Sequence, residues 1–139
     1  MSHLTYINYP GFGDWAAENF HYSQAVRIGD VIKLSGQGGI NPETKAFPPD
    51  ISSEIYQAFS NVDLALQTAG GTGWNQVYSV RVYMLDPQDQ AATATLVQNF
   101  RDWMPDHKPL FTYIGVTKLA MPEMRIEIEV EAHVGEFDR

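Results

Sequence analysis

The sequence predicts an α+β fold in which two helices pack on one face of a mixed six-stranded sheet. Two segments with helical spacing alternate with β-rich runs in the order β-β-α-β-α-β-β, and residues 4–9 add an edge strand. Both helical segments are apolar on one side only, so they cover a single sheet face. We expect the other face, which is partly charged, to be buried against further copies of the chain.

The first two strands form a predicted hairpin. Residues 24–28 and 31–35 are β-rich and are separated by Gly29-Asp30, a glycine-first turn that suits type II′ geometry. The preceding stretch, residues 10–22, is polar and aromatic and has no clear period. We interpret it as a loop.

The first helix is predicted over residues 50–69, where apolar residues recur at spacings of three and four. Asp50 or Ser52 can cap its start, and the pair Gly70-Gly71 can close its end.

A strand follows over residues 77–85, which are β-branched and aromatic. Asp86 is the predicted N-cap of the second helix, with Pro87 at its first position. This helix extends to about Met104, and Pro105 stops it.

Two last strands are predicted over residues 110–118 and 124–134, and the second alternates strictly. Side chains on a strand point to opposite faces in turn. The core-facing set is Ile126, Ile128, Val130 and Ala132. The opposite face carries Arg125, Glu127, Glu129, Glu131 and His133.

Composition narrows the classes of function. The chain has 139 residues, which suits one domain over residues 1–139, and its formal charge is −8. That charge repels phosphate backbones and anionic membranes, so we expect neither nucleic-acid nor membrane partners.

Cysteine is absent, which excludes thiol chemistry. The N-terminal residues show no leader pattern and no run reaches about 18 apolar residues, so we expect a cytoplasmic protein.

Several ordered motifs together resemble the RidA/YjgF family of reactive-intermediate deaminases. The resemblance spans residues 22–133, and it rests on Tyr22-Ser23-Gln24-Ala25-Val26, Gly29-Asp30, Ser35-Gly36-Gln37, Asn41-Pro42-Glu43-Thr44, Asn61-Val62, Val80-Arg81-Val82-Tyr83, Lys108-Pro109 and Ile126-Glu127-Ile128-Glu129-Val130. The resemblance implies a homotrimer of chorismate-mutase-like fold with ligand clefts between subunits. It also implies hydrolysis of 2-imino or enamino acids to 2-keto acids and ammonia, without a metal or organic cofactor.

One position departs from the family pattern. The family's substrate-anchoring arginine stands two residues after the proline that is Pro109 here, so its place is taken by Phe111. When a buried charge pair loses one partner, the free energy of the interaction weakens by about 3 to 5 kcal/mol. For a substrate carboxylate, this lowers the binding constant on the order of a hundredfold to several thousandfold. Lys108 is three positions away, in the connection before the strand, and is no evident substitute. We therefore do not expect simple 2-imino acids to be the substrates.

Glu127 and Tyr22 are the predicted catalytic residues. By resemblance, Glu127 orients the attacking water in the cleft and Tyr22 lines that cleft. A carboxylate desolvated between subunits gains a pKa suited to a general base. From the residues alone, Glu127 is a solvated glutamate on a charged strand face and Tyr22 is an aromatic side chain packed against the turn at Gly36.

The predicted substrate-binding residues are Ser35, Gly36, Phe111, Thr112 and Tyr113. Gly36 lacks a Cβ, so a ligand can approach backbone N–H groups there; a turn that needs positive φ is the alternative explanation. Phe111 and Tyr113 alternate around Thr112 and point to one face, where core packing is the usual role. By resemblance they line the cleft and make it apolar and aromatic.

The remaining acidic and histidine residues predict no metal site. Glu129 and Glu131 share a strand face with His133, but one strand supplies no convergent ligands. We expect these carboxylates to form ion pairs across subunits with Arg125, Arg81 and lysines, and the role of Glu131 has no further explanation. His21 neighbours Tyr22 and is interpreted as a surface loop residue, with an acid or base in the cleft as the alternative.

Two functions fit the sequence. The first is an enzyme that hydrolyses an imine, enamine or activated carbonyl compound with the help of Glu127. The alternative is a non-catalytic trimer that binds a small molecule or regulates a partner. Ribonuclease activity, which some relatives are named for, is disfavoured by the acidic charge.

Overall fold

The computed structural model describes residues 1–135 and shows three helices and a seven-stranded, largely antiparallel sheet. The strands are β1 (Thr5–Ile7), β2 (Ala25–Ile28), β3 (Val31–Leu34), β4 (Gln37–Gly38), β5 (Val77–Met84), β6 (Leu110–Gly115) and β7 (Ile126–His133). The helices are α1 (Phe12–Phe20), α2 (Ile51–Thr68) and α3 (Gln90–Trp103), and a 3₁₀ turn precedes β5. None of the helices in this part of the chain is long and apolar enough to cross a membrane.

The sheet order is β1-β2-β3-β7-β5-β6, and β4 also pairs with β7. Among the strand pairs of residues 1–135, only β5–β6 is parallel. This mixed α+β architecture is chorismate-mutase-like and confirms the predicted fold class. The predicted hairpin and edge strand are also present: β2 and β3 are joined at Gly29, whose φ is +57°, and β1 pairs with β2.

Helix α2 begins where the sequence predicts. Asp50 caps it, because its Oδ2 accepts a hydrogen bond of 2.9 Å from the Ser53 N–H. The apolar stripe of α2 is fully buried, and the helix packs against β3, β4, β7 and α3. The stripe consists of Ile55, Ala58, Phe59, Val62, Ala65 and Leu66.

Strand β7 lies in the middle of the sheet, and its side chains point alternately to the two sheet faces. Its inward residues, from Ile126 to Ala132, are no more than 1% exposed. Its alternate residues Glu127, Glu129 and Glu131 are partly exposed on the face that the helices leave uncovered. The predicted alternation is therefore confirmed, and below we call the uncovered side the outer face.

The prediction that residues 10–22 form a loop is wrong, because they contain α1. Its buried residues are Phe12, Gly13 and Ala16, so the inward side is made mainly of small residues that carry little hydrophobic signal. Gly13 packs on the ring of Tyr9, where an added Cβ would come within 3.1 Å. With no side-chain hydrogen bond at its N-cap, this helix is held by packing and by a backbone hydrogen bond of 2.8 Å from the Phe12 N–H to the Pro42 carbonyl.

The start predicted for the second helix is also wrong. Asp89, and not Asp86, caps α3, because the Asp89 Oδ1 accepts hydrogen bonds from the N–H groups of Ala91 and Ala92. Asp86 instead accepts one bond of 3.2 Å from the Gln88 N–H, in the turn that contains Pro87. Asp86 and Asp89 are both residues that can cap a helix. Asp89, which lies nearer the apolar stripe of α3, is the one that caps it. The predicted count of two helices and six strands therefore becomes three and seven, with α1 and β4 added.

Candidate active site

Glu127 lies on the outer face, directly against Gly36. A Cβ added at Gly36 would overlap Oε1 of Glu127 and would lie 2.7 Å from both its Cγ and its Cδ. Position 36 therefore has room only for glycine while the carboxyl group keeps its place. The φ of Gly36 is not positive, so the turn explanation does not apply, and the group that lies close to Gly36 is the Glu127 side chain.

The pairing of β7 shifts by one residue at this point. Lys33 of β3 opposes Glu131, whereas Gln37 of β4 opposes Ile128. Ser35 and Gly36 lie between these pairs, outside regular ladder pairing. Such a bulge breaks the ladder and redirects side chains, and here it sets the Ser35-Gly36 backbone beside the Glu127 carboxyl group.

The surroundings of Glu127 disfavour its ionised form. Burial of the carboxyl group, and secondly the negative charge of Glu129, raise the pKa of Glu127 above its ordinary range. Within residues 1–135 no donor hydrogen-bonds its carboxylate. A partly buried carboxylate with a raised pKa and free lone pairs has the properties of a general base.

Tyr22 and Ser35 line one groove of about 760 Å³, which also includes Glu129, His21 and Lys33. Tyr22 is 40% exposed, so its phenol is accessible. The Ser35 hydroxyl donates a hydrogen bond of 2.7 Å to the Ser23 carbonyl, and this bond fixes its oxygen at the groove wall. The structure thus brings Glu127 against Gly36 and places Tyr22 and Ser35 in the adjoining groove, whose lining includes neither Glu127 nor Gly36.

A buried polar chain supports the Ser35-Gly36 backbone and was missed by sequence reasoning. The Gln37 Nε2 donates to the Ser35 carbonyl at 3.0 Å and to the Gln24 Oε1 at 2.8 Å. The Tyr9 hydroxyl donates to the Gln37 Oε1 at 2.8 Å, and burial raises the pKa of Tyr9, which keeps it a neutral donor. The sequence signal that could have revealed this polar chain is Gln37, a polar residue at an inward position of the motif Ser35-Gly36-Gln37.

Arg125 does not lie where the sequence predicts. Alternation placed it on the outer face for pairing across subunits, but its Nε bonds the fully buried Glu54 Oε1 at 2.6 Å. Its backbone N–H also donates to the Glu54 Oε2 at 2.8 Å, and its Nη2 donates to the Pro48 carbonyl at 3.2 Å. The reason is that Arg125 precedes β7, so strand alternation does not govern it. This pair holds the start of β7 to α2, two residues before Glu127.

The other acidic residues of β7 have partners in their own chain. Glu129 accepts a hydrogen bond of 2.9 Å from the Tyr83 hydroxyl and lies 3.9 Å from Nη1 of Arg81. Glu131, whose role the sequence left unexplained, accepts one of 2.9 Å from the Tyr78 hydroxyl. Across residues 1–135 no group of three or more histidine, aspartate and glutamate side chains is arranged to hold a metal ion.

Phe111 and Tyr113 lie on the other side of the sheet from Glu127. They oppose the buried residues Val80 and Val82 in the parallel β5–β6 pair. The ring of Phe111 contacts Phe100 of α3 edge to face at 4.8 Å between centroids, and it contacts Tyr113 at 5.5 Å.

Thr112 differs from its two neighbours. It opposes Arg81 and lines a small outer-face cleft with Glu129 and Glu131. Within one chain the structure therefore does not bring Phe111 and Tyr113 together with Glu127. It does bring Thr112 to the same face as Glu127.

Comparisons with known proteins identify the family to which the chain belongs. The family model described as Endoribonuclease L-PSP matches residues 16–134. A RutC family protein of Aquifex aeolicus is 34% identical over 113 residues, which cover 80% of this chain and 86% of that protein. The 2-iminobutanoate/2-iminopropanoate deaminase of Escherichia coli is 28% identical over 111 residues, which cover 80% of this chain and 84% of the deaminase.

A solved structure, that of protein YJGH, has the same fold. It superimposes with a TM-score of 0.82 at 28% identity, covering 98% of this chain and 100% of that one. Family model, relatives and fold all agree with the resemblance that the motifs carry. The chain therefore belongs to the RidA/YjgF family, also described as endoribonuclease L-PSP, to which the RutC proteins are related.

Proposed function

We propose that this protein hydrolyses an imine, an enamine or an activated carbonyl compound, with Glu127 as the general base. The observation that carries the proposal is the Glu127 carboxyl group, which is partly buried against Gly36 and has a raised pKa and free lone pairs. Membership of a family that includes a 2-iminobutanoate/2-iminopropanoate deaminase supports this chemistry. No metal or organic cofactor takes part in the proposed reaction.

For an imine, the reaction proceeds in two stages. The oxygen of a water molecule bonds to the imine carbon, the C=N π electrons move to nitrogen, and Glu127 accepts a proton from the water. Glu127 then gives this proton to the amine nitrogen. Glu127 then takes the hydroxyl proton and passes it to the same nitrogen, the C–N bond breaks with its electrons leaving on nitrogen as ammonia, and the O–H electrons form the carbonyl. The net change is imine plus water to carbonyl compound plus ammonia.

Tyr22 and the Ser35-Gly36 segment have supporting roles in this proposal. The accessible phenol of Tyr22 donates to a substrate oxygen or to the attacking water. Ser35 is held by its bond to the Ser23 carbonyl and by Gln37, so its backbone presents a fixed wall to the substrate. Such preorganised groups stabilise developing charge without reorganisation during the reaction.

We propose that a homotrimer completes the site. Glu127 and Phe111 lie on opposite faces of one chain, so Phe111 and Tyr113 reach a cleft with Glu127 only if another copy supplies them. The uncovered outer face, with Tyr78, Tyr83 and Arg81, is the surface available for such assembly. Thr112 lies at its edge.

The substrate in this proposal is not a simple 2-imino acid, because Phe111 occupies the family's arginine position. The same observation favours the second candidate, a trimer that binds a small molecule without catalysis. Endoribonuclease activity is not proposed, since a formal charge of −8 repels a phosphate backbone.

The proposal is tested by ammonia release from 2-imino acids that an amino-acid oxidase generates in the cuvette from a panel of amino acids. We expect the wild type to accelerate hydrolysis of at least one member above the spontaneous rate, and Glu127→Gln to abolish this acceleration. Glu131→Gln is the matched control, because it alters a carboxylate on the same face of β7. A folded Glu127→Gln variant with wild-type rates would overturn the role of Glu127, and no acceleration across the panel would favour the binding protein.

A further inference from the structure

A second groove lies between the C-terminal end of α3 and the start of β6. Its volume is about 810 Å³. Apolar side chains from Phe100, Met104 and Phe111 line it together with two cations, Arg101 and Lys108. The sequence separates Lys108 from Phe111 by three positions, but the connection between α3 and β6 folds so that both line the same groove.

The two cations have no carboxylate partner in the part of the chain that the structure describes. The ion pairs there join Arg81 to Glu129 and Arg125 to Glu54. Asp106 also lines the groove, but it is not within 4.0 Å of either groove cation. On a chain of formal charge −8, this groove has more cations than carboxylates. An anion is therefore the ligand that its charge favours.

The groove is held in shape before any ligand arrives. The His107 Nε2 donates a hydrogen bond of 2.7 Å to the Val77 carbonyl, which ties the connection to the start of β5. Phe100 packs edge to face on Phe59 at 5.7 Å and on Phe111 at 4.8 Å between ring centroids. Phe111 nevertheless remains 42% exposed, so part of its ring is free to contact a ligand. A preformed apolar wall lowers the ordering cost of binding.

We propose that this groove binds an organic anion that carries an aryl group. The aryl ring packs against Phe111, and the carboxylate is held by Arg101 and Lys108. The inference rests on the proposed function for one point, namely that this ligand is the substrate. In that case the substrates are 2-imino or enamino acids with an aryl side chain, anchored by these two cations instead of by an arginine at position 111.

The binding test uses 3-phenylpropionate, which has no imine and cannot react, titrated into the full-length protein and followed by NMR or calorimetry. Propionate lacks the ring, and 3-phenylpropanol lacks the charge. We expect 3-phenylpropionate to bind and each of the other two to bind at least about tenfold more weakly, which corresponds to ~1.4 kcal/mol.

Variants locate the binding site. We expect Arg101→Gln and Lys108→Gln each to weaken binding about fivefold, and Phe111→Ala to weaken it about tenfold. Lys118→Gln and Phe20→Ala, which change an exposed cation and an exposed ring elsewhere, are the matched controls and should bind as the wild type does. Absence of binding, or unchanged affinity in both cation variants, would overturn the inference.

The result of the binding test does not depend on whether the protein is a catalyst. Because 3-phenylpropionate has no imine, its binding is measured without any turnover. Binding without turnover of any imine would overturn the proposed function alone. Turnover without binding in this groove would overturn the present inference alone.

Discussion

Gly36 and Glu127 occupy adjoining space on the outer face, and a single added carbon at Gly36 would overlap the Glu127 carboxyl group. The one-residue shift in the pairing of β7 creates this contact, since it takes the Ser35-Gly36 backbone out of the ladder. The glycine thus determines where the carboxylate lies. In the proposed mechanism, it determines where the attacking water lies as well.

Gly36→Ala should reduce kcat/KM by about a hundredfold, because a displacement near 1 Å at a catalytic group costs about that much. The fold should survive, since the atom displaced is the end of a flexible side chain. Imine hydrolysis and thermal unfolding measure the two effects. Gly29→Asn, at an exposed turn where asparagine tolerates positive φ, is the control. Full activity in Gly36→Ala would show that the position of the carboxylate does not matter.

The activity should fall on the acidic side of neutrality as Glu127 gains a proton. Burial and Glu129 raise the pKa of Glu127, so the acidic limb of kcat/KM should lie above the ordinary glutamate value of 4.5. Glu129→Gln removes one negative neighbour and also frees Arg81 from its pairing. Both effects lower the pKa of Glu127, and the limb should move to lower pH. A pH profile unchanged by Glu129→Gln would contradict the assignment of the base.

Arg125→Met should destabilise the protein by about 3 kcal/mol, because it leaves the fully buried Glu54 carboxylate without its cation. Adding Glu54→Gln removes the uncompensated charge and should restore part of the loss. Urea unfolding of the two single variants and the double variant gives the coupling between them. Arg27→Met, which breaks one exposed hydrogen bond to the Gly29 carbonyl, should cost no more than about 1 kcal/mol. A similar loss in Arg125→Met and Arg27→Met would show that the buried pair has no special role.

The assembly should be a trimer in solution at micromolar concentration. The outer face is uncovered in one chain, and the proposed cleft needs residues from two chains. Sedimentation equilibrium measures the mass directly. Three chain masses are expected, and a monomer that still hydrolyses imines would contradict the shared cleft.

The parts of the fold that follow strong periodicity were predictable. The apolar stripe of α2 and the alternation of β7 each extend over many residues, so the hydrophobic pattern alone identifies them. The helix α1 was not predictable in this way, since Gly13 and Ala16 on its buried side are small. Its position depends on the ring of Tyr9, which is a tertiary contact.

The candidate site was predictable only in part. Motif resemblance selected Glu127 and Gly36, and the structure brings them into contact. The hydrophobic pattern could not reveal the bonds that hold Gln37 to Tyr9 and Gln24, or the attachment of Arg125 to Glu54, because these contacts link segments far apart in the sequence. Nor could it show that Lys108 and Phe111 share a groove.

The most direct test of the account is hydrolysis of 2-iminobutanoate by the wild type, Phe111→Arg and Phe111→Arg/Glu127→Gln, measured as keto-acid and ammonia release. The wild type should be close to the spontaneous rate, because Phe111 offers no cation to a small carboxylate. Phe111→Arg supplies a bidentate anchor and should raise the rate, and removal of the Glu127 carboxylate should abolish the gain. Rapid hydrolysis of 2-iminobutanoate by the wild type, or a gain that persists without the Glu127 carboxylate, would contradict the account.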